Sequence, residues 1–257
     1  MDDLSIAFER AGHGPALVLL HGFTHDSRAW RPQLEELSEE FTVIAWDAPG
    51  AGQSSDPADE FGIGDWAECL AALLRYVDVE SAHVAGLSWG GLLAQELYRR
   101  RPQTVRSLVL ADTYAGWTGS LPAPVPQERL AACVRDSLLS PEEFVPKYLP
   151  GMFGPAPPRG ALEDLGQIMA EFHPLGFRLM ASALAGADTR ELLPTIAVPT
   201  LLVWGDADVR SPLPVAVHMR DLVPGAELVV IPGAGHVSNL EDPARFNDAV
   251  RAFLRDA

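Results

Sequence analysis

The chain has 257 residues, of which 47% are hydrophobic and 21% are charged, so it can bury a sizeable core as one domain with insertions. This is the composition of an ordinary globular protein, and it excludes a disordered or fibrous one. The formal net charge of −16 argues against a nucleic-acid partner, because the densest basic run, residues 99–101, closes a predicted helix and balances its dipole there.

The cysteines and the N-terminus bear on the compartment. Cys69 and Cys133 lie in apolar helical patterns, where a thiol behaves as a small hydrophobe, so no disulfide framework is indicated. Residues 1–5 (MDDLS) lack the basic and apolar regions of a signal peptide, and the longest apolar run, residues 16–20, is too short to cross a bilayer. We therefore expect a cytoplasmic protein without a membrane partner.

Short apolar runs recur along the chain and are typical of strands. They lack strict alternation of apolar and polar residues, which indicates that both faces of the sheet are covered, as in a mainly parallel sheet. Amphipathic helices separate them, as at residues 65–77, where the apolar positions have helical spacing. This alternation predicts an α/β fold with a doubly wound sheet. The predicted strands are residues 16–20, 42–46, 82–85, 105–111, 200–204 and 227–231.

One segment, residues 113–194, interrupts this alternation. It contains no convincing strand, and prolines and glycines punctuate short helical patterns at residues 127–139, 142–149 and 159–173. Core strands precede and follow it, so the chain leaves the sheet and returns. We predict a core of residues 1–112 and 195–257 with a helical cap inserted at 113–194.

The strongest local motif is GLSWGG at residues 86–91, between a predicted strand and a predicted helix. A serine on such a sharp turn has a strained backbone and a hydroxyl raised clear of the sheet. Glycines two residues before and after it let strand and helix close together. An incidental serine in a glycine-rich turn is the alternative, but the setting favours a nucleophile elbow with Ser88 as the nucleophile.

A serine nucleophile requires a base, and the base requires an acid that fixes its tautomer. His236 follows the last predicted strand in GAGHV, and Asp208 follows the preceding strand in GDAD. Both should therefore lie at the carboxyl ends of strands, where ligands bind in open α/β sheets. Asp206 and Asp112 are rival acids, since both also follow strands.

Acyl transfer also needs two N–H donors for the developing oxyanion. One should be the backbone N–H of Trp89, directly after the nucleophile, and the other that of Phe23, in the turn after the first predicted strand. His21 in this turn should only shape it. His25 and Asp26 in the same loop are expected to be solvated.

The substrate pocket is harder to predict. Trp117 and Phe153 in the cap and Val237 beside the predicted base are candidate substrate-binding residues. Other apolar cap residues at helical spacing could form cap core instead of pocket wall. These are Met152, Met169, Phe172, Phe177 and Met180.

Together these motifs resemble the α/β-hydrolase superfamily, and the resemblance covers nearly the whole chain. The elbow is similar to that of enol-lactonases and small serine esterases. The resemblance implies a catalytic triad whose acid is Asp208 rather than Asp206, and it implies no metal or cofactor. In chain order the matching motifs are HGF at 21–23, DAPGAGQS at 47–54, GLSWGG at 86–91, GDAD at 205–208 and GAGH at 233–236.

The expected function is a serine hydrolase that cleaves a carboxylic ester or lactone of a small molecule through an acyl-enzyme. Ser88 argues against dehalogenases of this fold, which use Asp, and against dienelactone hydrolases, which use Cys. Two alternatives remain open: a cofactor-free perhydrolase or haloperoxidase with the same triad, and a non-catalytic small-molecule receptor of this fold.

Overall fold

Seven strands form one sheet in the computed structural model, which describes residues 4–257. The strands are β1 (Phe8–Ala11), β2 (Ala16–Leu20), β3 (Thr42–Trp46), β4 (Ala82–Leu87), β5 (Val105–Ala111), β6 (Thr200–Gly205) and β7 (Glu227–Ile231). Their order across the sheet is β1-β3-β2-β4-β5-β6-β7. β1 is antiparallel to β3, and the other neighbours run parallel, which confirms the predicted mainly parallel sheet.

Helices surround the sheet and also form a separate group between β5 and β6. The sheet-flanking helices are α1 (Arg31–Leu37), α2 (Ile63–Tyr76), α3 (Trp89–Arg100), α9 (Leu213–Leu222), α10 (Ser238–Glu241) and α11 (Pro243–Asp256). The group between β5 and β6 comprises α4 (Trp117–Ser120), α5 (Val125–Asp136), α6 (Pro141–Tyr148), α7 (Arg159–Ala170) and α8 (Pro174–Gly186). None of the helices described here combines the length and the apolarity needed to span a membrane.

Local sequence explains where these elements begin. α2 starts two residues before the predicted 65–77, because Asp65 accepts a hydrogen bond at 2.9 Å from the backbone N–H of Gly62 and thereby caps the helix. Its buried face carries Trp66 and Leu70, as the helical spacing predicts.

Two differences from the predicted elements matter for the site. β4 continues to Leu87 and β6 continues to Gly205, so each strand ends at its motif rather than short of it. The short edge strand β1 was not predicted. Its four residues, FERA, are only partly buried at the ends and exposed in the middle, so they lack the continuous apolar run of a central strand.

Candidate active site

Ser88 occupies the turn between β4 and α3 with φ 53° and ψ −114°. A non-glycine residue in such a backbone conformation costs about 1–3 kcal/mol and persists only when its surroundings hold it. The backbone N–H of Ser88 donates to Ala111 O at 2.9 Å. Its carbonyl accepts from Thr113 Oγ1 at 2.5 Å. The strand β5 and the residues after it therefore hold the strained turn in place.

The glycines of the motif are required by close backbone approaches. A Cβ atom on Gly86 would lie 2.2 Å from the carbonyl oxygen of Gly90, and a Cβ atom on Gly90 would lie 2.1 Å from that of Leu20. Neither overlap can be relieved by rotating a side chain. The turn can therefore pass this close to β2 only with glycine at both positions.

His236 lies between Ser88 and Asp208 in a buried hydrogen-bonded chain. Its Nε2 is 2.9 Å from Ser88 Oγ, and its Nδ1 is 2.8 Å from Asp208 Oδ2. Because a carboxylate only accepts, Nδ1 carries the proton in this arrangement, and Nε2 is left to accept from the serine hydroxyl. Asp208 is itself fixed, since its Oδ1 accepts from the backbone N–H groups of Arg210 and Ser211 at 2.7 and 3.0 Å.

The loop that carries His236 is tied to the segment after α6. The backbone N–H of His236 donates to Met152 O at 2.8 Å. The carboxylate of Glu241 accepts from the N–H groups of Gly235 and Gly154, at 2.6 and 2.9 Å, and so joins the two segments. Burial raises the pKa of Glu241, against the effect of these two hydrogen bonds.

Asp112 lies outside the chain of hydrogen bonds to the imidazole. Its Oδ1 accepts from the backbone N–H of Gly205 at 2.8 Å, and its Oδ2 accepts from Ser238 Oγ at 2.5 Å. Burial, followed by the charge of the nearby Asp208, raises its pKa well above the usual range. This carboxyl group braces the backbone on both sides of the site.

The other rival acid, Asp206, is exposed and accepts from the backbone N–H of Gly233 at 2.6 Å. It therefore braces the loop before His236 instead of contacting the ring. Of the acids considered from the sequence, the structure brings only Asp208 to the imidazole.

The loop after β2 also lies close to the turn that carries Ser88. His21 Nδ1 is 2.7 Å from Gly22 O, and its Nε2 accepts from the backbone N–H of Ala48 at 3.0 Å, so its ring shapes the turn. The expectation that His25 and Asp26 are solvated was wrong, since both are buried, with 4% and 3% of their surface exposed.

The burial of Asp26 and the burial of His25 have separate causes. Asp26 caps the turn that follows and pairs with Arg28 at 2.7 Å. The His25 ring packs against Gly22 on the side toward Ser88, and neither ring nitrogen has a hydrogen-bond partner in residues 4–257. Burial lowers the pKa of His25 well below its usual value, so the ring is neutral near pH 7.

Phe23 and Trp89 flank the serine. Trp89 is the first residue of α3, where backbone N–H groups have no partner within the helix. The backbone N–H of Phe23 likewise has no acceptor in the described part of the chain. The Phe23 ring stacks on Phe177 at 5.1 Å and meets Trp117 edge-on at 6.2 Å, which fixes this loop against the helices between β5 and β6.

A cavity of about 180 Å³ opens over Ser88 and His236. Trp117 lies in its wall, whereas Phe153 and Val237 are buried outside its lining. Burial raises the pKa of the lining Cys133 to about 11, which keeps it a thiol. The remaining lining residues are Phe23, Tyr114, Arg129, Ala132, Tyr148 and Arg210.

Sequence reasoning missed the polar part of this wall because it considered only apolar cap residues. Tyr114 and Arg210 each lie two positions after an aspartate that was weighed as the acid, so closeness in sequence was a usable signal for these two. Arg129 had no such signal, because it lies on α5, far from the motifs in the sequence.

The sequence of residues 17–249 matches the alpha/beta hydrolase family, and the chain belongs to it. A thermophilic esterase from Thermogutta terrifontis, solved with malate bound, has a TM-score of 0.91 and 29% identity, over 98% of this chain and 94% of that one. A hydrolase from Pseudomonas aeruginosa PA01 has a TM-score of 0.89 and 31% identity, over 98% and 95%. The 3-oxoadipate enol-lactonase 2 of Acinetobacter baylyi is 28% identical, over 94% and 89%. The chain is thus a hydrolase with the α/β-hydrolase fold.

Proposed function

We propose that this hydrolase is a serine enzyme that cleaves a carboxylic ester or lactone of a small molecule through an acyl-enzyme. The observation that carries the proposal is the chain of two hydrogen bonds, 2.9 and 2.8 Å long, that joins Ser88 to His236 and His236 to Asp208. It supplies a nucleophile and a base in the correct tautomer, both of which line one cavity, and an acid buried outside that lining.

Each step follows from this geometry. Ser88 Oγ attacks the carbonyl carbon while its proton passes to His236 Nε2, and Asp208 stabilises the imidazolium that forms. His236 then gives this proton to the leaving oxygen as the C–O bond breaks. Water attacks the acyl-serine with His236 again as base, which releases the acid and restores Ser88. A lactone follows the same steps, with its leaving oxygen still attached to the acyl chain.

The oxyanion formed in each addition needs donors that are already in place. We assign this role to the backbone N–H groups of Phe23 and Trp89, which have no acceptor among the described residues. Loss of one such donor typically costs about 10²–10³ in rate, so two of them contribute much of the catalysis.

We also propose that residues 113–194 form a cap over a core of residues 1–112 and 195–257. This cap supplies most of the cavity wall, including Trp117, while the strand ends supply the nucleophile and its base. Substrate choice then depends on the helices between β5 and β6.

A fluorophosphonate probe tests the nucleophile, since it phosphonylates only an activated serine. We expect stoichiometric labelling of Ser88, loss of labelling and of ester hydrolysis in Ser88→Ala, and full labelling in the control Ser182→Ala, which alters a serine exposed on α8. Full hydrolysis by Ser88→Ala would refute the proposal. Turnover seen only with peroxide in carboxylate buffer would indicate a perhydrolase instead.

A further inference from the structure

Two arginines, Arg129 on α5 and Arg210 after β6, line the same cavity as Ser88. Both side chains are partly buried. In residues 4–257 neither guanidinium has a carboxylate within ion-pair distance, whereas Arg28 and Arg251, which are also partly buried, each pair with two or more acids. Such unneutralised positive charge is unexpected inside a chain with a formal net charge of −16.

The hydrogen bonds of the two guanidiniums leave several donors unused. Arg129 Nη1 donates to Tyr114 Oη at 3.3 Å and to Arg210 O at 3.1 Å, which leaves Nε and Nη2 without an acceptor among the described residues. Arg210 donates from Nε to Gly151 O at 2.9 Å and from Nη2 to Tyr148 O at 2.8 Å, so its Nη1 is also left.

Two acids close to this cavity, Asp208 and Asp136, are already engaged. Both oxygens of Asp208 accept hydrogen bonds, from His236 and from backbone N–H groups. Asp136 pairs with Lys147 and accepts from the hydroxyl of Tyr148. Burial lowers the pKa of Arg210, and the like charge of Arg129 adds to this effect, whereas the charge of Asp208 acts in the opposite direction.

We propose that the cavity binds an ester or lactone that carries a free carboxylate, and that Arg129 and Arg210 donate to this carboxylate while Ser88 attacks the ester carbonyl. The inference rests on the proposed function and adds the substrate class. A carboxylate suits the site because the unused Nε and Nη2 of Arg129 form a planar fork that matches two carboxylate oxygens. A cavity of about 180 Å³ must hold this group together with the ester, which favours a short chain.

The test measures binding apart from chemistry, by calorimetry on Ser88→Ala, which cannot turn over the ester. Three pairs of ligands compare a carboxylate with a neutral carboxamide of similar size: the monoethyl esters of glutaric and adipic acid against the matching carboxamides, and butanoyl glycolate against butanoyl glycolamide. Hydrogen bonds to charged groups are strong enough that we expect at least one acid to bind about ten- to a hundredfold more tightly than its amide.

Variants assign this preference to the arginines. In the Ser88→Ala protein, the further substitution Arg129→Met should reduce the preference for acid over amide to within about threefold. Arg129→Lys in its place should retain part of this preference, because charge-assisted hydrogen bonds carry the difference. The matched control is Arg135→Met, which removes the same charge from an exposed position on the same helix and should leave the preference unchanged. In the parent Ser88→Ala protein, added salt should weaken binding of the acid but not of the amide.

Equal binding of acid and amide in all three pairs, or binding of none, would overturn the proposal. An equal weakening of acid and amide by Arg129→Met would also overturn it, since that result indicates a purely structural arginine. Hydrolysis of the same esters by the protein with Ser88 intact is measured separately. Tight binding without hydrolysis would contradict the serine-hydrolase proposal and leave the carboxylate site standing.

Discussion

Ser238 donates the hydrogen bond of its hydroxyl to Asp112 Oδ2 at 2.5 Å, although the two residues are 126 positions apart in the sequence. The other oxygen of Asp112 accepts from the backbone N–H of Gly205, where β6 ends. Asp112 therefore fixes the backbone after His236 and the backbone before Asp208 at once. The two aspartates have different tasks, because one supports the loops and the other contacts the imidazole.

The first prediction separates these two tasks. Asp208→Asn should lower kcat by about 10³–10⁴ with the fold intact, because the amide no longer fixes the tautomer of His236 or stabilises the imidazolium. Asp112→Asn should lose far less, since it has no contact with the ring. Circular dichroism and a melting curve on both variants must accompany the kinetics. The reverse ranking would move the catalytic acid to Asp112.

The second prediction concerns stability and pH. The pKa of Asp112 is raised well above its usual range by burial and by Asp208, so the native state keeps a proton that the unfolded chain releases above about pH 4. The contribution of Asp112 to the free energy of unfolding is fully present below about pH 4 and is lost as the pH rises toward the native pKa of this group. Asp112→Asn does not titrate. Its free energy of unfolding relative to wild type should therefore rise with pH.

Urea unfolding of both proteins between about pH 5 and 7 measures this difference, which can grow by up to about 1.4 kcal/mol per pH unit. Titrating groups far from Asp112 affect both proteins alike and cancel, whereas the interaction of Asp112 with Asp208 is part of the measured difference. A difference that stays constant across this range would show that Asp112 is ionised in the native state.

Much of the fold could be predicted because the central strands are buried on both faces. Runs such as residues 42–46 are continuously apolar for that reason, and they are distinct from the amphipathic helices. A continuous apolar run is absent where burial is partial, as in β1 at the sheet edge, so such a strand is not predicted. The sequence signal also fails in α8, where Gly and Ala blur the helical spacing although Phe177 and Met180 are buried.

Some residues of the site could likewise be predicted from local sequence, and others could not. The turn around Ser88 is a local arrangement that needs glycines at fixed positions, so a sequence motif records it. Arg129 and Arg210 meet only through the tertiary fold, 81 residues apart; Arg210 closely follows Asp208, but no local pattern marks Arg129. His25 was placed wrongly because its loop looks polar, whereas its ring is buried against Gly22 on the side toward Ser88.

The third prediction concerns Glu241, which joins the loops on either side of the cavity mouth. Glu241→Ala leaves the N–H groups of Gly235 and Gly154 without this acceptor, and because both hydrogen bonds are partly buried, each loss costs up to about 1–3 kcal/mol. Since Gly235 precedes His236, kcat should fall as well. Urea unfolding and kinetics measure both effects, with Glu227→Ala on the exposed side of β7 as the control. Equal stability of the two variants would argue against the bridge.

The fourth prediction compares two aromatic residues of the proposed cap. Trp117 lies in the cavity wall, so Trp117→Phe should change the relative kcat/KM among esters of different acyl size by about ten- to a few hundredfold. Phe153 is buried outside the lining, and Phe153→Leu should lower kcat/KM by a similar factor for every substrate. Equal shifts in specificity from both variants would contradict this placement of the pocket.

The last prediction concerns Gly91, at the start of α3. A Cβ atom there would lie 2.3 Å from Thr113 Oγ1, the hydroxyl that donates to the carbonyl of Ser88. Gly91→Ala must displace Thr113 and weaken its hold on the strained turn. We expect a loss of about 1–3 kcal/mol in the free energy of unfolding from overpacking. Because a displacement of about 1 Å in a catalytic group can cost 10²-fold, kcat should fall by about ten- to a hundredfold.

Gly160 provides the matched control for this substitution. It lies near the start of α7, and a Cβ atom there would meet nothing within 4 Å. Both alanines gain up to about 1 kcal/mol of helix propensity, so the difference between the variants isolates the contact with Thr113. Gly160→Ala should be as stable as wild type or more so, with unchanged kcat. If Gly91→Ala matched it in urea unfolding and in kcat, the bond from Thr113 would not be what holds Ser88 in its strained conformation.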